Sequence, residues 1–130
     1  MLEIKVSLRV YTKGFSQDEV AAKFECAGDF GYSEGDKIGT SADKYYSETM
    51  WGKRSSRDNA NSIDAHVTEL LDWLDQRKYE FHKLVEKSKV KPDICCFLSS
   101  DNSQGSAVIS SDILKRLSYF DLDIVLDVYV

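Results

Sequence analysis

Proline is nearly absent from this chain of 130 residues; Pro92 is the single one. Proline-rich linkers and collagen-like repeats are therefore excluded. Cysteine is scarce, at three residues: Cys26, Cys95 and Cys96. An odd count without C-x-x-C spacing supports neither a disulfide framework nor a zinc site. No run approaches the ~20 apolar residues of a membrane span, and Met1-Leu2-Glu3-Ile4-Lys5 does not read as a signal peptide. Positive charge is in deficit, with 17 Lys and Arg against 22 Asp and Glu and a net charge of -5. That balance argues against a nucleic-acid binder, since phosphate contacts need a basic field. Neither G-x-G-x-x-G nor G-x-x-x-x-G-K-[ST] occurs, and no serine has both a nucleophile-elbow context and a histidine companion.

What is present describes an ordinary globular domain. Hydrophobic residues make up 42%, including two Trp, seven Tyr and six Phe, so a self-sufficient core is available. The length corresponds to one domain spanning residues 1–130. Reduced cysteines in a chain without a targeting segment point to the cytoplasm. Cys95 and Cys96 sit in the apolar run Ile94-Cys95-Cys96-Phe97-Leu98, where neighbours point to opposite faces of a strand and cannot jointly hold a metal. They read as small buried hydrophobes.

The periodicity gives the elements in order. Leu2, Ile4, Val6, Leu8 and Val10 alternate with Glu3, Lys5, Ser7, Arg9 and Tyr11, which predicts a half-buried strand. Phe15-Ser16-Gln17-Asp18-Glu19-Val20 carries a capping box and a hydrophobic staple, and predicts a helix over 17–25. Residues 27–44 hold four of the seven glycines and predict a loop that is functional or ordered by pairing. A strand is expected over 45–55. Asn61 or Ser62 opens a long helix to about Lys87, with a break near Gln76-Arg77. Pro92 leads into a strand over 93–99, and a polar loop spans 99–106. Ser110, Ser111 and Asp112 cap a short helix. The last strand, 121–130, alternates Leu122, Ile124, Leu126, Val128 and Val130 with Asp121, Asp123, Val125, Asp127 and Tyr129.

The fold class expected is α+β: one domain with a mostly antiparallel sheet of four to five strands and helices packed on one face. The order is strand, helix, strand, helix, strand, helix, strand. The terminal strands look like antiparallel partners, because Lys5 and Arg9 on one would face Asp121, Asp123 and Asp127 on the other.

Three features are candidates for function. Asp121-x-Asp123 places two carboxylates about 6.6–6.8 Å apart on one strand face, in reach of a shared metal or divided acid and base roles. An exposed charged face is the plainer reading. His66 and His82 lie beside the apolar stripe of the long helix without partners at metal-ligand spacing, so packing or solvent exposure is expected. The run Tyr45 to Arg54, with Tyr32 joining from the glycine-rich loop, is rich in interface-type residues, and Tyr45 and Trp51 share a face by strand parity.

Val6-Ser7-Leu8-Arg9-Val10-Tyr11, Phe15-Ser16-Gln17-Asp18-Glu19-Val20, Gly35-Asp36 with Trp51, His66-Val67-Thr68-Glu69-Leu70-Leu71 with Leu74, and the closing Leu122-Asp123-Ile124 to Tyr129 together form a familiar order. That order resembles the bacterial domain-of-unknown-function family 4279. The family usually has a proline where Ser16-Gln17 stands, and residues 27–44 match it poorly. The resemblance implies a compact α+β fold and brings no catalytic residues with it.

Two functional expectations follow. The first is a non-catalytic protein-binding domain, an immunity-type inhibitor that covers a basic bacterial toxin domain. Acidic charge speeds encounter with such a partner. Its partner-binding residues would be Tyr45, Trp51, Asp101, Asp121, Asp123 and Asp127, with no catalytic residue, metal or cofactor, and no nucleic acid or membrane as partner. The alternative is a small enzyme or ligand-binding domain using the 27–44 loop and the Asp121/Asp123 pair. A third possibility is a homodimer with a purely structural role, built on an exposed sheet edge or on the outer face of Trp73.

Overall fold

The structure is a computed structural model, and it describes residues 2–40, 43–56, 62–101 and 106–129. Five strands and four helices follow one another: β1 (Leu2–Thr12), α1 (Gln17–Phe24), β2 (Phe30–Tyr32), β3 (Thr49–Arg54), α2 (Ile63–Asp75), α3 (Lys78–Ser88), β4 (Asp93–Ser100), α4 (Ser111–Tyr119) and β5 (Asp123–Tyr129). The strands form one mixed sheet in the order β2-β3-β1-β4-β5. Among the described residues, only the β4–β5 pairing is parallel. The fold is α+β, as the periodicity implies. The expected element order changes in two places: a short strand forms inside the glycine-rich segment, and the long helix divides.

Specific contacts explain both changes. Gly31 supplies β2 with a φ of 149°, and a Cβ there would stand 2.1 Å from the Met50 carbonyl oxygen. Only glycine lets β2 approach β3 this closely. The remainder of the loop is tied by its own backbone: Gly35 N–H donates to Tyr46 O, Tyr46 N–H to Asp36 O, and Ile38 N–H to Lys44 O. Tyr45 therefore bridges Lys37 and belongs to this loop; β3 begins at Thr49, not at 45. The long helix breaks at Gln76 and Arg77, where Arg77 turns its guanidinium onto the Trp73 ring at 4.4 Å and donates from Nε to Phe24 O. The capping box of α1 forms as expected, with Ser16 Oγ accepting from Glu19 N–H and Glu19 Oε1 accepting from Ser16 N–H. Ser62 caps α2; the alternative opener, Asn61, lies outside the described residues.

The core lies between the sheet and the helices. Ile4, Val6, Leu8 and Val10 of β1 are buried against Val67, Leu70, Leu71 and Leu74 of α2 and Phe81 and Leu84 of α3. Register puts Trp51 opposite Val10, so Trp51 joins this inner row and is completely buried. It meets Phe24 at 5.0 Å and Trp73 at 5.6 Å, and its Nε1–H donates to Cys26 O.

Two expectations about β5 are corrected. It does not pair with β1, because β4 lies between them. The crossover through α4 delivers β5 parallel to β4 at the sheet edge, while β1 takes the centre. The row expected to face the core is only half covered: Leu126 is 52% and Val128 60% exposed. Val130 and residues 102–105 of the polar loop lie outside the described residues.

Candidate functional site

With the helices on one side, the alternate residues of all five strands form an open face on the other. Register sets them in rows. Tyr32, Met50 and Tyr11 form the first row, and Phe30, Gly52, Arg9, Asp93 and Asp123 the second. Arg54, Ser7, Cys95 and Val125 form the third, Lys5, Phe97 and Asp127 the fourth, and Glu3, Ser99 and Tyr129 the last. From β2 to β5 the face spans four strand spacings, about 19 Å.

Its side chains are organised by one another. Arg9 makes a bidentate pair with Asp93, Nε to Oδ1 at 2.6 Å and Nη2 to Oδ2 at 2.9 Å. This pair occupies the sheet centre with side chains 26% and 12% exposed. Gly52 leaves room for the Phe30 ring, which a Cβ would meet at 2.3 Å. The Arg54 guanidinium lies over that ring at 4.9 Å. Tyr32 and Tyr46 stack at 3.5 Å with an interplanar angle of 12°. Phe97 and Tyr129 meet at 5.0 Å, and Lys5 Nζ lies 5.9 Å from the Phe97 ring.

Burial tunes the ionisable groups here. Desolvation, with the Asp93 charge beside it, pushes the Tyr11 phenol up to about 12. Tyr32 is raised as well, through desolvation and then the Glu48 charge. The Cys95 thiol is raised by desolvation against the opposing pull of Arg9, and Cys96, on the buried side, is pushed up to about 12. Both thiols are held protonated at neutral pH, which suits packing and not nucleophilic chemistry. The expected opposite orientation of these neighbours holds: Cys96 is buried and Cys95 faces the open side.

The six residues expected to bind a partner do not form one patch. Asp123 and Asp127 stand on the open face along β5, both exposed. Asp121 precedes the strand in a turn, with φ 53°, and does not share the strand face with Asp123. Lys91 sits on both carboxylates, 3.4 Å from Asp121 and 2.9 Å from Asp123. These acids therefore neutralise Lys91; the expected partners Lys5 and Arg9 pair with Glu3 and Asp93 instead. Asp101 is exposed just beyond β4. Tyr45 is exposed in the loop beside β2, at the opposite side of the sheet from β5. Trp51 is in the core and offers no surface to a partner.

Strand parity in β3 was legible, but the face chosen from it was the wrong one. The open-face row holds the half-buried Met50 and the exposed Arg54, and the core row holds the buried Thr49 and Trp51. Phe97 was missed because it lies in the continuous apolar stretch Ile94 to Leu98, in which sequence alone does not show which residues meet solvent, and Asp93 because its partner Arg9 is 84 residues away. Their signal was the outer row of β1, Arg9 and Tyr11, whose neighbours had to be on the same face.

Concavities lie both away from this face and at its border. One of about 460 Å³ is bounded by Lys23, Glu25, Asp75, Arg77 and Tyr79. Another of about 400 Å³ lies beside Lys5, Ser7, Arg54, Ser55 and His66. In the second, Ser55 Oγ and His66 Nδ1 share a hydrogen bond of 2.6 Å, a contact the sequence reading did not anticipate. His66 is 1% and Ser55 8% exposed, so the pair is packed between β3 and α2. His82 lies on the exposed side of α3, stacked on Phe120. Among the described residues, no cluster of three or more His, Cys, Asp or Glu could hold a metal, and no helix is long and apolar enough to cross a membrane.

No curated protein and no solved structure matches the chain. One family model does, and it spans residues 2–130, including the glycine-rich segment that resembled the family least. By that match over essentially its whole length, the chain belongs to the family described as domain of unknown function DUF4279.

Proposed function

We propose that this chain is a non-catalytic binding domain whose open sheet face engages a protein partner. The observation that carries the reading is the composition of that face. Tyr11, Tyr32, Met50 and Phe97 surround a satisfied Arg9–Asp93 pair, with Asp123 and Asp127 along one border. Aromatic, Met and Arg residues are enriched where proteins bind one another, and a charged border steers encounter. Among the described residues of this face, the groups with shifted pKa values, Tyr11, Tyr32 and Cys95, do not line the concavity at its border.

Within that class, an immunity-type inhibitor of a basic toxin domain, acting in the cytoplasm, fits the net charge of -5 and the acidic border. The test is co-expression of the tagged protein with the product of the adjacent open reading frame, followed by size exclusion at low and high salt. A one-to-one complex that weakens with salt, and is weakened about tenfold or more by Phe97→Ala or Tyr11→Ala, supports the reading. A complex indifferent to both substitutions, or no complex with this product, overturns it.

A further inference from the structure

The open face accounts for one side of β5 but leaves its edge and inner side unexplained. β5 ends the sheet, so among the described residues its outward backbone groups have no neighbouring strand in the order β2-β3-β1-β4-β5. Such an edge is a template for pairing with another chain. On the inner side Leu126 is 52% and Val128 60% exposed. Apolar exposure along an unpaired edge marks an interaction surface.

The pattern of β5 identifies the occupant. When a strand pairs antiparallel with its own copy about a two-fold axis, one residue must face itself, and every other register position follows from it. Centring on Val125 sets Asp123 against Asp127, and centring on Asp127 sets that carboxylate against itself. Like charges directly opposite are destabilising. Centring on Ile124 or Val128 overlaps only the three residues 123–125 or 127–129 of each strand. Centring on Leu126 overlaps all 7 residues of the strand. Leu126 then faces Leu126, Ile124 faces Val128, Val125 faces Asp127, and Asp123 faces the Tyr129 phenol. The apolar row becomes continuous and no carboxylate meets another.

We propose that two copies of this chain join through β5, antiparallel and centred on Leu126, into one continuous ten-stranded sheet. The pairing leaves both open faces on the same side of the extended sheet, so the dimer presents the partner-binding surface twice. It rests on the edge and not on the proposed function, and its salt dependence has the opposite sign. Two chains of net charge -5 repel, so salt strengthens this dimer while it weakens an acidic face bound to a basic partner.

The test has two arms, both on the full chain. Light scattering after size exclusion, at about 100 μM, is expected to give twice the 14.8 kDa chain mass, and Leu126→Lys to restore the monomer mass. Circular dichroism of that variant verifies that it remains folded. Under mild oxidation, Leu126→Cys is expected to form a disulfide-linked dimer on a non-reducing gel and Val128→Cys to form far less, with the unsubstituted chain as control for Cys26, Cys95 and Cys96. A monomer at this concentration overturns the proposal. So does a dimer that survives Leu126→Lys, or one that cross-links at 128 in preference to 126.

Discussion

β1 and β5 alternate in the same way yet meet different fates. Each carries an unbroken apolar row on one side and a polar row on the other. In β1 the inner residues Val6, Leu8 and Val10 are at most 2% exposed; in β5 Leu126 and Val128 are more than half exposed. The difference is position in the sheet. β1 has β3 and β4 as neighbours and α2 and α3 above it, whereas among the described residues β5 has one neighbouring strand and the short α4. Period-two patterning specifies which side of a strand is apolar, and the neighbours decide whether that side is buried.

The contrast can be broken most directly by matched truncations. Leu8→Ala is expected to cost about 3 kcal/mol, because it removes a fully buried side chain from the packed centre and leaves a cavity. Leu126→Ala, measured at a dilution that keeps the chain monomeric, is expected to cost less than about 1 kcal/mol. Chemical denaturation of both variants decides the matter; equal losses would mean that β5 is covered as deeply as β1.

The polar row of β1 sharpens the comparison. Asp93→Ala leaves the Arg9 guanidinium without its bidentate partner in a site only 26% exposed, at an expected cost of about 2 kcal/mol. A double-mutant cycle with Arg9→Ala is expected to show strong coupling, whereas the exposed Lys91–Asp123 contact on β5 is expected to show almost none. At the end of the inner row, Thr12 is fully buried and its Oγ1 finds no hydrogen-bond partner among the described residues. Thr12→Val is therefore expected to stabilise the protein by about 1 kcal/mol, and a lower melting temperature would contradict this account.

The last contrast is a titration. The Tyr11 phenol ionises near 12 in the folded chain against an ordinary value of 10. Between those values the unfolded chain loses this proton first, so stability present below pH 10 is lost as pH rises toward 12. Tyr11→Phe is expected to flatten the fall in stability over this range and to remove the late component of the tyrosinate absorbance titration. An unchanged titration would place Tyr11 in water.

Much of the architecture was legible before any coordinates. The capping box at Ser16 and Glu19, the break at Gln76-Arg77, the alternation of β1 and the opposite orientations of Cys95 and Cys96 each leave a pattern within a few residues of sequence. The candidate site was less legible, because Trp51 and Met50 are adjacent and parity alone does not name the buried one. The register of Trp51 against Val10, forty-one residues distant in sequence, made that choice.

By itself, then, the sequence determined element type, caps, breaks and the apolar side of each strand, since short-range sterics and hydrogen bonding set these locally. Tertiary structure alone decided strand order, the Arg9–Asp93 pairing, the helix-free face and the exposed edge of β5. Those features depend on which distant segments come together, and a crossover through one short helix was enough to put β4, rather than β1, beside the last strand.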